Sequence, residues 1–235
     1  MHTTVKAARI AGAIYLCEIV VGPFNLVYIP RALVVSGDAT ATAAKILAHQ
    51  TMFELAILSD LFAGVASICL VLALYRLFED VDRFQAAAMV IFGGLTIAPI
   101  FFLNSLNWIA ALTLVRGGSY LSAFTTQQQQ SLAMLFLHLH GQGNLVDSVF
   151  WGLWLFPLGS LVVKSRFIPR FLGYWLILEG FVYVAFAIVS IVAPDYGDAI
   201  FIYGQPVFFA EIAIMLFLLI KGANVPRVSV TARGR

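Results

Sequence analysis

Six carboxylates stand where a soluble protein seldom puts them. Of the twelve Asp and Glu residues in the chain, Glu18, Glu54, Asp60, Asp147, Glu179 and Glu211 fall inside long apolar runs. The fourteen Lys and Arg residues touch those runs only at their ends, through Arg9, Arg76 and Arg170. An ionisable group at the centre of a membrane helix costs at least about 2.5–3.5 kcal/mol and turns towards protein or a wet cavity rather than lipid. Such an acid can stay neutral and hydrogen-bonded to a neighbouring helix, or several can converge on a shared proton or a bound cation. Glu18, Asp60, Asp147, Glu179 and Glu211 are accordingly the candidates for acid–base or proton-carrying chemistry.

Helical spacing sorts these acids into stripes, because residues three, four or seven apart share a face. Tyr15, Glu18, Gly22 and Asn25 form one stripe, and Asp60, Gly64 and Ser67 a second. His140, Asn144, Asp147, Trp151 and Trp154 form a third, and Trp175, Glu179 and Tyr183 a fourth. Acids thus recur beside Trp and Tyr, a combination that holds an organic cation through charge and cation–π attraction together. Tyr15, Glu18, Asn25, Glu54, Asn104, His140, Asn144, Asp147, Trp151, Trp154, Trp175, Glu179, Tyr183 and Glu211 are the candidate ligand-binding set. Asn104, Asn107 and Trp108 also suit interhelical hydrogen bonding. His138 and His140 do not read as a metal site, since positions i and i+2 of a helix point about 200° apart. They could meet one ion only if the backbone unwound at Gly141 to Gly143. His2 and His49 read as terminal and interfacial. No metal and no cofactor is expected.

The elements that hold these groups follow from composition. The chain has 235 residues, 61% of them hydrophobic and 11% charged, against about 45–50% and about 25% in soluble domains. A bilayer must be its solvent. Six stretches reach the roughly 20 apolar residues that a spanning helix needs: 9–30, 50–77, 85–115, 130–163, 168–192 and 199–220. They predict a single all-α domain, a polytopic bundle of six transmembrane helices with membrane lipid around it. The third and fourth stretches exceed one bilayer thickness, so each extends beyond the membrane or bends, the fourth at Gly141 and Gly143. The Gln127 to Gln130 run is expected to start the fourth helix.

Basic residues set the orientation. Lys6, Arg9, Arg76, Arg83, Lys164, Arg166, Arg170, Lys221, Arg227, Arg233 and Arg235 fall on one side of a six-span chain, and only Arg31, Lys45 and Arg116 on the other. The positive-inside rule then makes both termini cytoplasmic. The first apolar run is longer than the about 7–15 residues of a signal peptide and contains Glu18, so it is read as a retained span. Cys17 and Cys69 lie in apolar runs without disulfide or zinc spacing and are read as small core residues. Net charge is only +2 and the basic residues are scattered, which excludes a phosphate-tracking stripe and with it nucleic acid as a partner.

Several phrases carry a family resemblance: RIAGAIYL (Arg9 to Leu16), Gly22-Pro23-Phe24, GDATATAAKILAH (Gly37 to His49) and ALYRLF (Ala73 to Phe78). The C-terminal half adds LAMLFLHLHGQG (Leu132 to Gly143), FWGLWLFPLGSLV (Phe150 to Val162) and SRFIPRFLGYWLILEGFVY (Ser165 to Tyr183). Over most of residues 9–195 the chain resembles the bacterial membrane proteins of the domain of unknown function 4386. The resemblance implies six spans in a bacterial inner membrane and implies no particular chemistry. It also implies an arginine in the third span and one near the start of the second. Here the third reads IFGGLTIAPIFFLN, the second carries Glu54, and Asp147 replaces a small residue.

An internal echo links the first and fifth spans. Arg9, Gly12 and Glu18 repeat the spacing of Arg170, Gly173 and Glu179; Gly37-Asp38-Ala39 recurs as Gly197-Asp198-Ala199; and Glu54-Leu-Ala-Ile recurs as Glu211-Ile-Ala-Ile. Both hairpins start on the same side, so this would be a parallel repeat of helices 1–2 and 5–6, with its axis along the membrane normal. Glu18 would then be the counterpart of Glu179, and Glu54 of Glu211.

Three functions fit these observations. The first is proton-linked binding or transport of a cationic or lipophilic small molecule in an acidic, aromatic-lined pocket. The second is an intramembrane acid–base enzyme acting on a lipid or isoprenoid, with a protonated carboxylic acid as donor. The third is a structural or accessory membrane protein whose acids are neutral packing partners. Composition does not set the oligomeric state, though small-residue faces such as Gly93-Gly94 suit helix–helix contact.

Overall fold

The computed structural model describes residues 2–223; Arg227, Arg233 and Arg235 and the side chain of His2 lie outside that description. All regular structure among the described residues is helical. Six helices are long and apolar enough to cross a membrane: α1 (Val5–Leu33), α3 (Gln50–Phe78), α4 (Arg83–Arg116), α5 (Thr126–Ser165), α6 (Arg170–Val192) and α7 (Pro194–Ile220). They match the six expected spans. The segment from Gly37 to His49, expected as a loop, instead forms a short helix, α2 (Ala39–Ala48). Asp38 starts it by accepting a hydrogen bond from the Ala41 N–H at 2.8 Å, the usual way a helix satisfies its first free donors.

The first and last helices meet, the Arg9 guanidinium donating to the Ile220 carbonyl at 3.1 Å. Both ends of the described chain therefore share one face of the bundle, here the proximal end. Each span packs against its sequence neighbours, and α1 closes on α7, so the six form a ring. Glycines permit the closest approaches. A Cβ on Gly152 would lie 2.6 Å from the Gly180 carbonyl oxygen, and one on Gly159 equally near that of Gly173, which brings α5 and α6 backbone to backbone. Gly93 and Gly94 receive Val71 of α3, so they are used inside the bundle rather than on a free face. Cys17 and Cys69, expected in the core, lie on its outer surface.

The ring is filled unevenly. Its proximal half is a continuous apolar core that includes Leu70, Leu74, Phe78, Leu155, Leu158 and Leu218. A smaller cluster under α2 joins Ile29, Leu33, Ile46, Phe53, Trp108 and Leu112 at the distal end. Between the two, the interior stays open.

Three helices depart from regular geometry beside that opening. α1 contains a π-helical turn at Phe24–Tyr28, directly after Pro23, and α4 contains one at Ile91–Thr96. α7 unwinds between Gly204 and Phe209, because Pro206 lacks the N–H that would continue the ladder. By contrast α5 does not unwind at Gly141 or Gly143. It runs unbroken from the Thr125–Gln128 capping box to Ser165, and at about 1.5 Å per residue it extends well past the bilayer.

Candidate functional site

All six spans contribute to one cleft of about 1590 Å³, larger than the roughly 300–1,000 Å³ of ordinary ligand pockets. Arg31, Ser36, Ser131, Asp198 and Gln205 line its distal mouth, and Val71, Gly93 and Trp154 its deep end, against the proximal core. No lysine or arginine among the described residues lines it below Arg31. His138 and Gln142 face it from mid-α5 with exposed side chains.

One wall carries a saturated polar network. Asp60 accepts from Asn25 Nδ2 at 3.1 Å on Oδ1, and on Oδ2 it meets Ser105 Oγ at 3.3 Å and His140 Nε2 at 3.1 Å. Ser59 Oγ donates to Asn25 Oδ1 at 2.8 Å. Asn104 Nδ2 donates both to the His140 carbonyl, at 3.0 Å, and to Asn144 Oδ1, at 2.9 Å. These contacts assign the histidine tautomer. The His140 carbonyl can only accept, so it fixes the Asn104 amide with its nitrogen towards α5; Asn144 must then present Oδ1 to Asn104 and Nδ2 to His140 Nδ1, 3.4 Å away. Nδ1 thus accepts, and Nε2–H donates to Asp60. Trp108 stacks on it at 4.0 Å between centroids and 17° between planes. Neither ring nitrogen is left free for a substrate.

Gly143 makes room for this network. A Cβ there would fall 2.2 Å from Asn104 Oδ1, which accounts for a bare position facing α4 where the sequence suggested a bend.

The opposite wall carries Tyr15, Glu18 and Glu211, with Glu179 buried behind them. The break in α7 explains part of the set. Because the helix restarts at Phe209, the Glu211 N–H lies in a first turn without an intrahelical partner, and Glu179 Oε2 accepts from it at 3.2 Å. Glu179 therefore serves as a cap delivered from the neighbouring helix. Tyr15 OH donates to Glu211 Oε1. Glu18 makes no hydrogen bond to any described residue, and its Oε1 is buried without a partner. Aromatic rings surround the group: Tyr15 lies 5.9 Å from Trp154, Trp151 meets Tyr183 edge-on at 5.9 Å, and Tyr183 stacks on Phe208 at 4.7 Å.

Of the candidate acid–base and ligand-binding residues, Tyr15, Glu18, Asn25, Asp60, His140, Asn144, Trp151, Trp154, Tyr183 and Glu211 line the cleft. The others stand elsewhere. Glu54 forms an ion pair with Arg116 at the distal end, so it is not an unpaired acid. Asn104 lies behind the wall, Trp175 packs on the proximal core, and Asp147 is buried and accepts from Trp151 Nε1 at 3.0 Å. The proposed counterparts Glu18 and Glu179, and Glu54 and Glu211, occupy unlike surroundings. Trp108, read from the sequence as an interhelical hydrogen-bonding residue, also lines the cleft, as do Phe101 and Phe208, to which only the aromatic character of their helices pointed. No group of three or more His, Cys, Asp or Glu among the described residues is placed to hold a metal ion.

Among known families, the model described as Domain of unknown function (DUF4386) matches residues 10–222. No curated protein and no solved structure matches the chain.

Proposed function

This polytopic membrane protein belongs to the DUF4386 family, and from the lining of its cleft we propose that it binds a lipophilic organic cation and carries it in exchange for protons. The observation that supports this reading is the lining of the cleft. Glu18, Asp60 and Glu211 face it among Tyr15, Trp151, Trp154 and Tyr183, with no lysine or arginine among the described residues lining it below Arg31. Carboxylates set the sign of the guest, ring faces add cation–π attraction, and apolar walls accept its hydrocarbon body. Protons compete for the same carboxylates, which links occupancy to pH.

The same proposal gives the protein an orientation. Lys6, Arg9, Arg76, Arg83, Lys164, Arg166, Arg170 and Lys221 lie at or near the proximal end, against Arg31, Lys45 and Arg116 distally. By the positive-inside rule the proximal end faces the cytoplasm of a bacterial inner membrane and the cleft opens outwards.

Tryptophan fluorescence of the purified protein in nanodiscs tests the reading, since Trp108, Trp151 and Trp154 line the cleft. Titration with 4-phenylbutylammonium, 4-phenylbutanol and 4-phenylbutyrate holds the body constant and changes only the charge. The ammonium is expected to bind at least about tenfold more tightly than the other two, a difference of about 1.4 kcal/mol, and to weaken as the pH is lowered. Equal affinity for all three would overturn the proposal.

A further inference from the structure

The acids of the cleft are not equally available to a guest. Asp60 already meets three side-chain partners, Asn25, Ser105 and His140. Glu211 receives the Tyr15 hydroxyl, and Glu179 is committed to the Glu211 N–H behind the wall. Glu18 alone of these has no hydrogen bond: Oε1 is enclosed by protein without a partner, and Oε2 is left to the cleft. Other polar groups of the cleft lining are engaged, Tyr15 OH with Glu211, Asn25 with Asp60 and Ser67 with the Gly64 carbonyl.

Beside a bound cation the Glu18 carboxylate is ionised and can only accept, so what it needs from the guest is a donor. A cation satisfies its charge, but only a cation bearing N–H satisfies its lone pairs, through a short charge-assisted hydrogen bond. Building on the proposed cation-binding function, we propose that the guest is an amine with at least one N–H, which donates to Glu18, while its apolar body lies along Trp151, Trp154 and Tyr183. Quaternary ammonium ions are then poor guests, although they carry the same charge and suit aromatic rings equally well.

A methylation series on one body isolates that hydrogen bond. The probes are 4-phenylbutylammonium and its N,N-dimethyl and N,N,N-trimethyl derivatives, titrated in nanodiscs at a pH where all three are cations. The dimethyl probe keeps one N–H at nearly the bulk of the trimethyl probe. It is expected to bind within about threefold of the primary amine, and the trimethyl probe about tenfold or more weaker, as loss of a hydrogen bond to a charged group predicts. In the Glu18→Gln variant that step between dimethyl and trimethyl collapses to about twofold, and in Glu18→Asp it is retained. Near-ultraviolet circular dichroism checks that both variants are folded.

A wild-type protein that binds all three cations alike, or that loses affinity evenly with each methyl, overturns the hydrogen-bond proposal and leaves the cation-binding reading standing. Binding of none of them overturns both.

Discussion

Two walls of one cleft treat buried acids in opposite ways. On the α3–α5 side, Asp60 is held by donors from three helices, and its partner His140 has both ring nitrogens engaged. On the α1–α7 side, Glu18 lines the cleft, has no hydrogen bond to any described residue and keeps a buried, unpartnered Oε1. A saturated polar network in low dielectric fixes one arrangement of the helices that contribute to it, whereas an unpaired polar atom costs free energy until something binds it. The first wall is therefore read as the frame of the cleft and the second as its binding surface. If that division is right, mutations on the two walls should separate stability from binding.

The largest stability effect is expected at Asp60. Asp60→Ala would strand the Asn25 amide and the His140 Nε2–H together, while the Ser105 hydroxyl keeps its bond to the Phe101 carbonyl. The expected loss is about 2–4 kcal/mol, as when one partner of a buried hydrogen-bonded pair is removed. Denaturant titration in detergent measures it. A loss below about 0.5 kcal/mol, the range of ordinary surface substitutions, would mean that the network is not the frame.

Gly143→Ala probes the same wall without deleting a polar group. Its Cβ would overlap the Asn104 amide, and Asn104 is pinned by the His140 carbonyl and Asn144. Overpacking of this kind costs about 1–3 kcal/mol. Because the clash is with one side chain, the same change in an Asn104→Ala background should cost much less, so the double-mutant cycle should show strong coupling. Additive effects would place the clash elsewhere.

The sequence made one of these walls easier to see than the other. Hydropathy located all six spans, because a lipid-facing helix must be apolar along its length. The stripe of Tyr15, Glu18 and Asn25 was readable because three- and four-residue spacing alone puts them on one face. The pairing of Asp60 with His140 was not readable, since it depends on which helices are neighbours in the ring. Glu179 looked like a pocket residue for the same reason: its spacing from Tyr183 is correct, but its role is set by the break that Pro206 makes in another helix. Asp147 shares the stripe of His140 and Trp151, yet it is buried and bonded to the Trp151 indole, a contact that spacing alone does not show.

Glu18→Gln sharpens the comparison from the other side. It removes a carboxylate that makes no hydrogen bond, so the unfolding free energy should stay within about 0.5 kcal/mol of wild type, while the titrations described above lose their N–H preference. A large destabilisation would show that Glu18 belongs to the frame after all, with a partner that the side-chain geometry does not reveal.

The smallest effect belongs to an acid outside both walls, where water rather than protein surrounds the pair. Asp82 caps the start of α4, accepting from the Lys164 ammonium at 2.7 Å and from the Gln85 N–H at 3.1 Å. These donors, the lysine first, hold its carboxyl below the ordinary Asp range. A depressed pKa in the folded state means that the unfolded chain takes up the proton first as the solution is acidified. Asp82 therefore contributes stability above the ordinary Asp value of about 3.9 and loses it as the pH falls through the lower folded value. The stability difference between wild type and Asp82→Asn should be small and constant near neutrality, and should close only in strong acid. Added salt should also shrink it, since an exposed pair is screened. The difference between wild type and Asp60→Ala should be less sensitive to salt, because Asp60 is buried and held by donors from the protein. An Asp60 effect that fell with salt as the Asp82 effect does would mean that ions enter the wall, and the division between frame and binding surface would fail there.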